Sequence, residues 1–274
     1  MRERRRLQPA GTLVVVVAAL AGLTACARST PAVQAQPVAV NTGASAGSAL
    51  QRPNSPASVP SHALLRVPAQ SQLPALPNGC EVTSLSMLFT AVGHPVDKLT
   101  LAAQQPTNST QPVFRPRGHL FSDILRWGDP DDGFVGAVAG HQHGVGYGIY
   151  HRPLTKLADH ILPGRTIDLT GRPFNDVLAQ VANGTPVVTW VTSLFKPTDD
   201  WVTWAGPHGP VHATQYEHAV LLVGYDQHHV YVNNPLTGIA GQQLDRASFA
   251  NAWNQLGEQA LTITKVATHT PAPA

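Results

Sequence analysis

Apolar positions gather in a few runs whose spacing predicts the elements. Val82, Leu85, Leu88, Phe89 and Val92 recur at the three-and-four step of an α-helix, and Gly93 supplies a stop. A Pro77-Asn78-Gly79 turn precedes the run, so the spacing predicts an amphipathic helix opening at Cys80. Pro173 to Val181 reads as a short helix and Pro186 to Val191 as a buried strand of β-branched residues. Asp245 to Leu256 reads as a last helix, followed by a strand from Ala260 to Val266. Ala219 to Tyr225 and Val230 to Asn233 flank Asp226-Gln227-His228-His229 and predict a hairpin. A short antiparallel hairpin brings His218, just before its first strand, across from the chain near Asn234, just after its second. One long helix early and most strands late make the class α+β.

The rest of the chain lacks such periods. Residues 94–165 are rich in Gly, Pro and His, including Trp127-Gly128-Asp129-Pro130 and the run from Gly140 to Gly148, and predict loops around short elements. Residues 1–26 have the form of a signal peptide: four arginines within Met1 to Arg6, then an apolar and small-residue stretch from Thr12 to Leu23. That stretch is shorter than the roughly 20 residues a spanning helix needs. Leu23-Thr24-Ala25-Cys26 resembles a bacterial lipobox, in which the cysteine is acylated; the alternative is an ordinary signal peptide with Cys26 incidental. Residues 27–65, rich in Pro, Ala, Ser, Gly and Gln, predict a disordered tether, residues 66–267 the folded domain, and 268–274 a tail. The expected location is extracytoplasmic, anchored to the cell membrane by lipid on Cys26.

Composition narrows the function. A chain of 274 residues, 43% hydrophobic and 12% charged, suits one medium-sized domain with unstructured ends. A formal charge of +2, with no Lys/Arg run beyond residue 6, gives no footprint for nucleic acid. With only Cys26 and Cys80 present, a disulfide framework is excluded. An unpaired thiol in an oxidising compartment either works or is deeply buried. The start of a helix favours an anion, which argues for a thiolate at Cys80. A thiol nucleophile needs a base and a group to orient that base, and His218 and Asn234 fit the two roles. Taken alone, His218 reads better as a capping or strand-edge histidine; Cys80 and Asn234 in register reverse that preference.

Ser71-Gln72-Leu73-Pro74, Leu76-Pro77-Asn78-Gly79-Cys80-Glu81, the run from Glu217-His218-Ala219 to Gly224-Tyr225, and Tyr231-Val232-Asn233-Asn234-Pro235 together resemble the bacterial C39-like peptidases of the papain-like clan. The stretch from Trp127 to Gly136 resembles them more loosely, and the likeness spans about residues 66–265. His218 follows Cys80 at the ~130–150 residue separation of papain-like enzymes. The resemblance implies a papain-like fold, an N-terminal catalytic helix packed on an antiparallel sheet. It also implies Cys80 as nucleophile, His218 as base, Asn234 as orienting residue and Gln72 as oxyanion donor beside the Cys80 backbone N–H. Gln70 competes for the donor role, and linker polarity is a plain alternative for both glutamines. The family commonly carries Asp where this chain has Asn234, and Asn does not neutralise an imidazolium. The implied activity is hydrolysis of a peptide or other amide bond in a peptide or protein substrate, without metal or organic cofactor. An acyltransferase on the same fold and a non-catalytic peptide- or cell-wall-binding lipoprotein are the alternatives.

Weaker signals remain. His141 and His143, and His208 and His212, invite a metal, but Pro207, Gly209 and Pro210 spoil a helical pair and no acidic or Cys ligand falls at a matching spacing. Asp129 to Gly133 reads as a turn rather than a calcium loop, and the Gly140 to Gly148 run lacks the Lys-Ser/Thr of a phosphate loop. Trp190 reads as core, and Trp201 and Trp204, near Asp199-Asp200, as the wall of a substrate groove.

Overall fold

A computed structural model describes residues 60–140 and 146–265. The signal peptide with Cys26, nearly all of the tether, the tail, and His141 and His143 lie outside the described residues.

The main sheet has seven strands: β1 (Ala63–Leu64), β2 (Thr166–Asp168), β3 (Val187–Thr192), β4 (Glu217–Tyr225), β5 (His229–Asn234), β6 (Ile239–Asp245) and β7 (Ala260–Ile263). They run in the order β6-β5-β4-β3-β7-β2, all pairs antiparallel, with β1 laid against the far end of β4. The helices are α1 (Cys80–Ala91), α2 (Lys98–Gln104), α3 (His151–Ile161), α4 (Phe174–Ala182) and α5 (Arg246–Gln255).

Strand alternation separates two cores. Ala219, Leu221 and Val223 of β4 face the core built around α1, while Val220 and Leu222 face the one beneath α4 and α5. Helix α1 packs on β4 and runs until Gly93, whose φ of +79° takes the left-handed conformation that glycine enters without steric cost. It is not amphipathic as its spacing predicts: every residue from Cys80 to Phe89 is buried, including Glu81, Thr83, Ser84 and Ser86. Glu81, Ser84 and Ser86 find partners within the fold, while the Thr83 hydroxyl is buried without one. Ser84 donates to the Ala219 carbonyl at 3.1 Å and Ser86 to the Val96 carbonyl at 2.6 Å, so both serine hydroxyls can be covered.

The covering segment is the chain before α1, which runs as a strap over the sheet. Leu65 N–H donates to the Val223 carbonyl, Asn233 Nδ2 to the Val67 carbonyl, and Gln72 N–H to the Pro235 carbonyl. The strap approaches β4 closely because Gly224 has no side chain; a Cβ there would stand 2.6 Å from Leu64 Cδ1 and 2.8 Å from the Ala63 carbonyl oxygen.

A second wall comes from the middle of the chain. A four-stranded sheet joins 113–114, 124–126, 202–206 and 209–213, and Trp127, Trp204, Tyr147 and Ile124 fill its core. Trp204 is therefore interior, its indole N–H donating to the Gly128 carbonyl, and it lines no groove. Trp190 is core as expected, bonded to the Ile149 carbonyl.

Candidate active site

The Pro77-Asn78-Gly79 turn delivers Cys80 as the first residue of α1. Asn78 is buried and donates from Nδ2 to both the Ala137 and the Gly140 carbonyls at 2.9 Å, pinning the turn to the second wall. No side chain caps the helix, so its first-turn N–H groups stay available at the thiol.

His218 is the second residue of β4 and Asn234 the last of β5. Leu221 pairs with Asn233, so Asn234 and His218 are diagonal rather than direct neighbours across the hairpin, a spacing long side chains bridge. They do so with His218 Nε2 and Asn234 Oδ1 at 2.9 Å. The amide orientation is fixed independently: Oδ1 also accepts the Leu236 N–H at 3.0 Å, and Nδ2 donates to Gln242 Oε1 at 2.9 Å. With Oδ1 an acceptor, Nε2 must carry the proton, which leaves Nδ1 as a lone pair.

Cys80, His218 and Gln72 line one cleft, together with Asn78, Phe121, Tyr147, Ser193, Gln215 and Glu217. Gln72 is buried, and its Nε2 donates to the Pro77 carbonyl at 2.7 Å, leaving one amide hydrogen. Gln70 bonds to Ser86 on the flank of α1 instead, so Gln72 is the glutamine at the cleft. Trp201 stacks on His212 at 4.6 Å and lines a separate cavity with Tyr150 and His151. His208 faces Asp132, apart from His212, which bonds Thr203.

The electrostatics differ from the sequence expectation. Burial, and then the carboxyls of Glu81 and Glu217, push the Cys80 thiol well above its ordinary range, outweighing the helix terminus. Burial likewise lowers the His218 imidazole to about 4, only partly offset by the bond to Asn234. Both shifts favour a neutral thiol beside a neutral imidazole over an ion pair. The thiol donates to Glu81 Oε2 at 3.3 Å.

Glu81 and Glu217 are what sequence reasoning missed, although one directly follows Cys80 and the other directly precedes His218. Parity carries the signal: Glu217 shares its strand face with Ala219 and Leu221, which pack on α1, so its carboxyl meets the first turn of that helix. Among the described residues, Cys80, Glu81 and Glu217 form the one group whose ligand-type atoms lie close enough, within 4.8 Å of one another, to hold a cation.

The family model for the Peptidase_C39 like family matches residues 64–261. The uncharacterized protein YvpB of Bacillus subtilis (strain 168) is 42% identical over 196 residues, covering 72% of this chain and 73% of that protein. A crystal structure of a C39-like peptidase candidate from Bacillus anthracis superposes with TM-score 0.67 at 37% identity, over 75% of this chain and 98% of that one.

Proposed function

The chain belongs to the Peptidase_C39 like family, and from that premise we propose that it is a thiol hydrolase, cutting a peptide or other amide bond through Cys80, His218, Asn234 and Gln72. The observation that carries the reading is the one cleft lined by Cys80, Gln72 and a His218 whose Nε2 is held at 2.9 Å by Asn234. That bond leaves Nδ1 free to take a proton.

In the proposed reaction His218 Nδ1 takes the thiol proton as Sγ attacks the acyl carbon. The remaining Gln72 amide hydrogen and the Cys80 N–H then meet the oxyanion, donors worth about 3–4 kcal/mol each in such sites. The imidazolium protonates the leaving amine, and water, activated by the regenerated imidazole, resolves the thioester. The proposed location is outside the cytoplasmic membrane, with Cys26 carrying the lipid; the arginine-led apolar stretch and Leu23-Thr24-Ala25-Cys26 support it.

The test is mass spectrometry of a peptide mixture incubated with the full chain and with Cys80→Ala and His218→Ala. New peptide termini should appear with the parent, vanish with Cys80→Ala, and form at least ~10³-fold more slowly with His218→Ala, because such residues act as a unit. Products joined to an added amine would reassign the chain as an acyltransferase. Peptide binding that is equal in parent and Cys80→Ala, without turnover in either, would replace hydrolysis by recognition.

A further inference from the structure

Two carboxyls stand at the nucleophile, and the reaction just proposed uses neither. Glu81 Oε1 accepts the Ile149 N–H at 2.8 Å and its Oε2 accepts the Cys80 thiol at 3.3 Å. Glu217 has no such support: its Oε1 is closed off from solvent without a hydrogen-bond partner. Gly148 makes the room. A Cβ there would stand 2.5 Å from Glu81 Oε1 and 2.8 Å from Glu217 Oε2, so both carboxyls fill the space a side chain would occupy. Neither makes an ion pair with Lys or Arg among the described residues.

Two carboxyls this close, Glu81 fully buried and Glu217 half-buried at the cleft wall with one oxygen closed off, resist double ionisation at neutral pH and favour keeping a proton between them. We propose that Glu81 and Glu217 form a proton-sharing pair whose charge decides when Cys80 can ionise, Glu81 as the hydrogen-bond partner of the sulfur and Glu217 by its charge from within 4.8 Å. When both are protonated, the Glu81 hydroxyl can donate to the sulfur and steady a thiolate after the thiol proton has passed to His218 Nδ1. When Glu81 is ionised, it accepts the thiol proton as a hydrogen bond and its charge opposes the thiolate. When neither holds a proton, thiolate formation is suppressed. The proposal rests on Cys80 being the nucleophile, but its test does not depend on turnover.

The pKa directions agree with this arrangement. Burial raises Glu81 to about 7, and burial followed by the neighbouring Glu81 raises Glu217 well above the carboxylate range. The other titratable groups facing the pair are Cys80, His218, which adjoins Glu217 in the chain, and the bonded hydroxyls of Tyr147 and Tyr150, with Asp129 and Asp131 acting on Tyr150. Both tyrosines are themselves pushed up, mainly by burial, and stay neutral through the range in which the pair titrates.

The experiment is the rate of Cys80 alkylation against pH in the full chain carrying Cys26→Ser, with chelator present, in otherwise unchanged protein and in Glu81→Gln and Glu217→Gln. Glutamine keeps the size and the acceptor oxygen of each side chain and removes its charge. Glu81→Gln should speed alkylation about tenfold or more at neutral pH, and each change should lower the midpoint of the profile by about one unit. Infrared difference spectra of unchanged protein need no variant, and should show a protonated carboxyl that persists to about pH 7. Unmoved midpoints with unaltered circular dichroism, loss of all protonated-carboxyl absorption well below neutral pH, or a stoichiometric divalent ion retained by the trio would each overturn the pair. Peptide hydrolysis with unmoved midpoints would remove the pair and leave the hydrolase; moved midpoints without hydrolysis would do the reverse.

Discussion

Asn234 is tied by three hydrogen bonds that leave its amide no freedom to flip: to His218, to the Leu236 N–H and to Gln242. It can orient the imidazole but carries no charge to offset an imidazolium, and burial holds His218 at about 4 as a result. A carboxylate at this position would supply the missing charge at hydrogen-bond distance. Asn234→Asp should therefore raise the His218 pKa by at least about one unit, read from the pH dependence of its ring-proton NMR shifts. Gln242 must then turn its amide so that a donor faces the new oxygen, a rotation that costs little for a side chain near the edge strand. If the His218 titration does not move, the buried neutral imidazole owes its state to something other than the missing countercharge.

Among the elements, the strap is the one that ties the site to the sheet core, against which its Leu65, Val67 and Ala69 pack. It carries Gln72 from the far end of β4 to the cleft, and its closest approach is at Gly224. Gly224→Val sets a branched side chain against Leu64 and the Ala63 carbonyl, an overpacking that should cost about 1–3 kcal/mol in urea unfolding. If the strap holds Gln72 in place, peptide hydrolysis should fall toward the level of Gln72→Ala, about 10²–10³ below the parent; a stability loss with unchanged hydrolysis would uncouple the two. The elements themselves were unequally legible in the sequence. Helix α1, strand β3 and the β4–β5 hairpin are apolar runs bounded by turn residues, so Cys80, His218 and Asn234 could be placed beside them, although the strands run further than expected and take in His218 and Asn234. Helix α3 lies inside a Gly-, Pro- and His-rich stretch and begins His151-Arg152-Pro153, where proline is tolerated because first-turn N–H groups need no helical partner; its stripe of Leu154, Leu157, Ala158 and Ile161 does keep the three-and-four helical step, so the flanking composition masked a period that was present. Strand β6 is a mostly exposed edge containing Gly241 and shows no alternation. The Glu81–Glu217 contact was legible only as a strand-face parity, because which helix covers that face is decided by packing between segments far apart in the chain. The neutral charge state of Cys80 followed from that same packing, which no local pattern encodes.

For the whole molecule, the buried groups of the cleft impose opposing pH dependences on folding. Glu81 is raised from 4.5 to about 7 in the folded state, so its contribution is fully present below its unfolded pKa and is lost as pH rises through 4.5 toward 7. Glu217 is raised further and extends the same loss to higher pH. His218 runs the other way: lowered from 6.5 to about 4, it favours folding fully above 6.5 and loses that contribution as pH falls. From 4.5 to 6.5 the two effects oppose, whereas above 6.5 the histidine is neutral in both states and the carboxyls act alone. The cysteine and the two tyrosines, all raised, enter only in more alkaline solution. Stability from urea unfolding should therefore decline between about pH 6.5 and pH 8, at up to about 1.4 kcal/mol per unit for each proton that the folded state alone retains. Glu217→Gln takes away the group that is raised furthest while burial still holds Glu81 at about 7, so its profile should fall less steeply than the parent's and level off above about pH 7, and its advantage over the parent should grow with pH. A parent profile already flat there would mean that the two carboxyls ionise as freely in the folded protein as in the unfolded chain, and that the cleft contains enough water to solvate both.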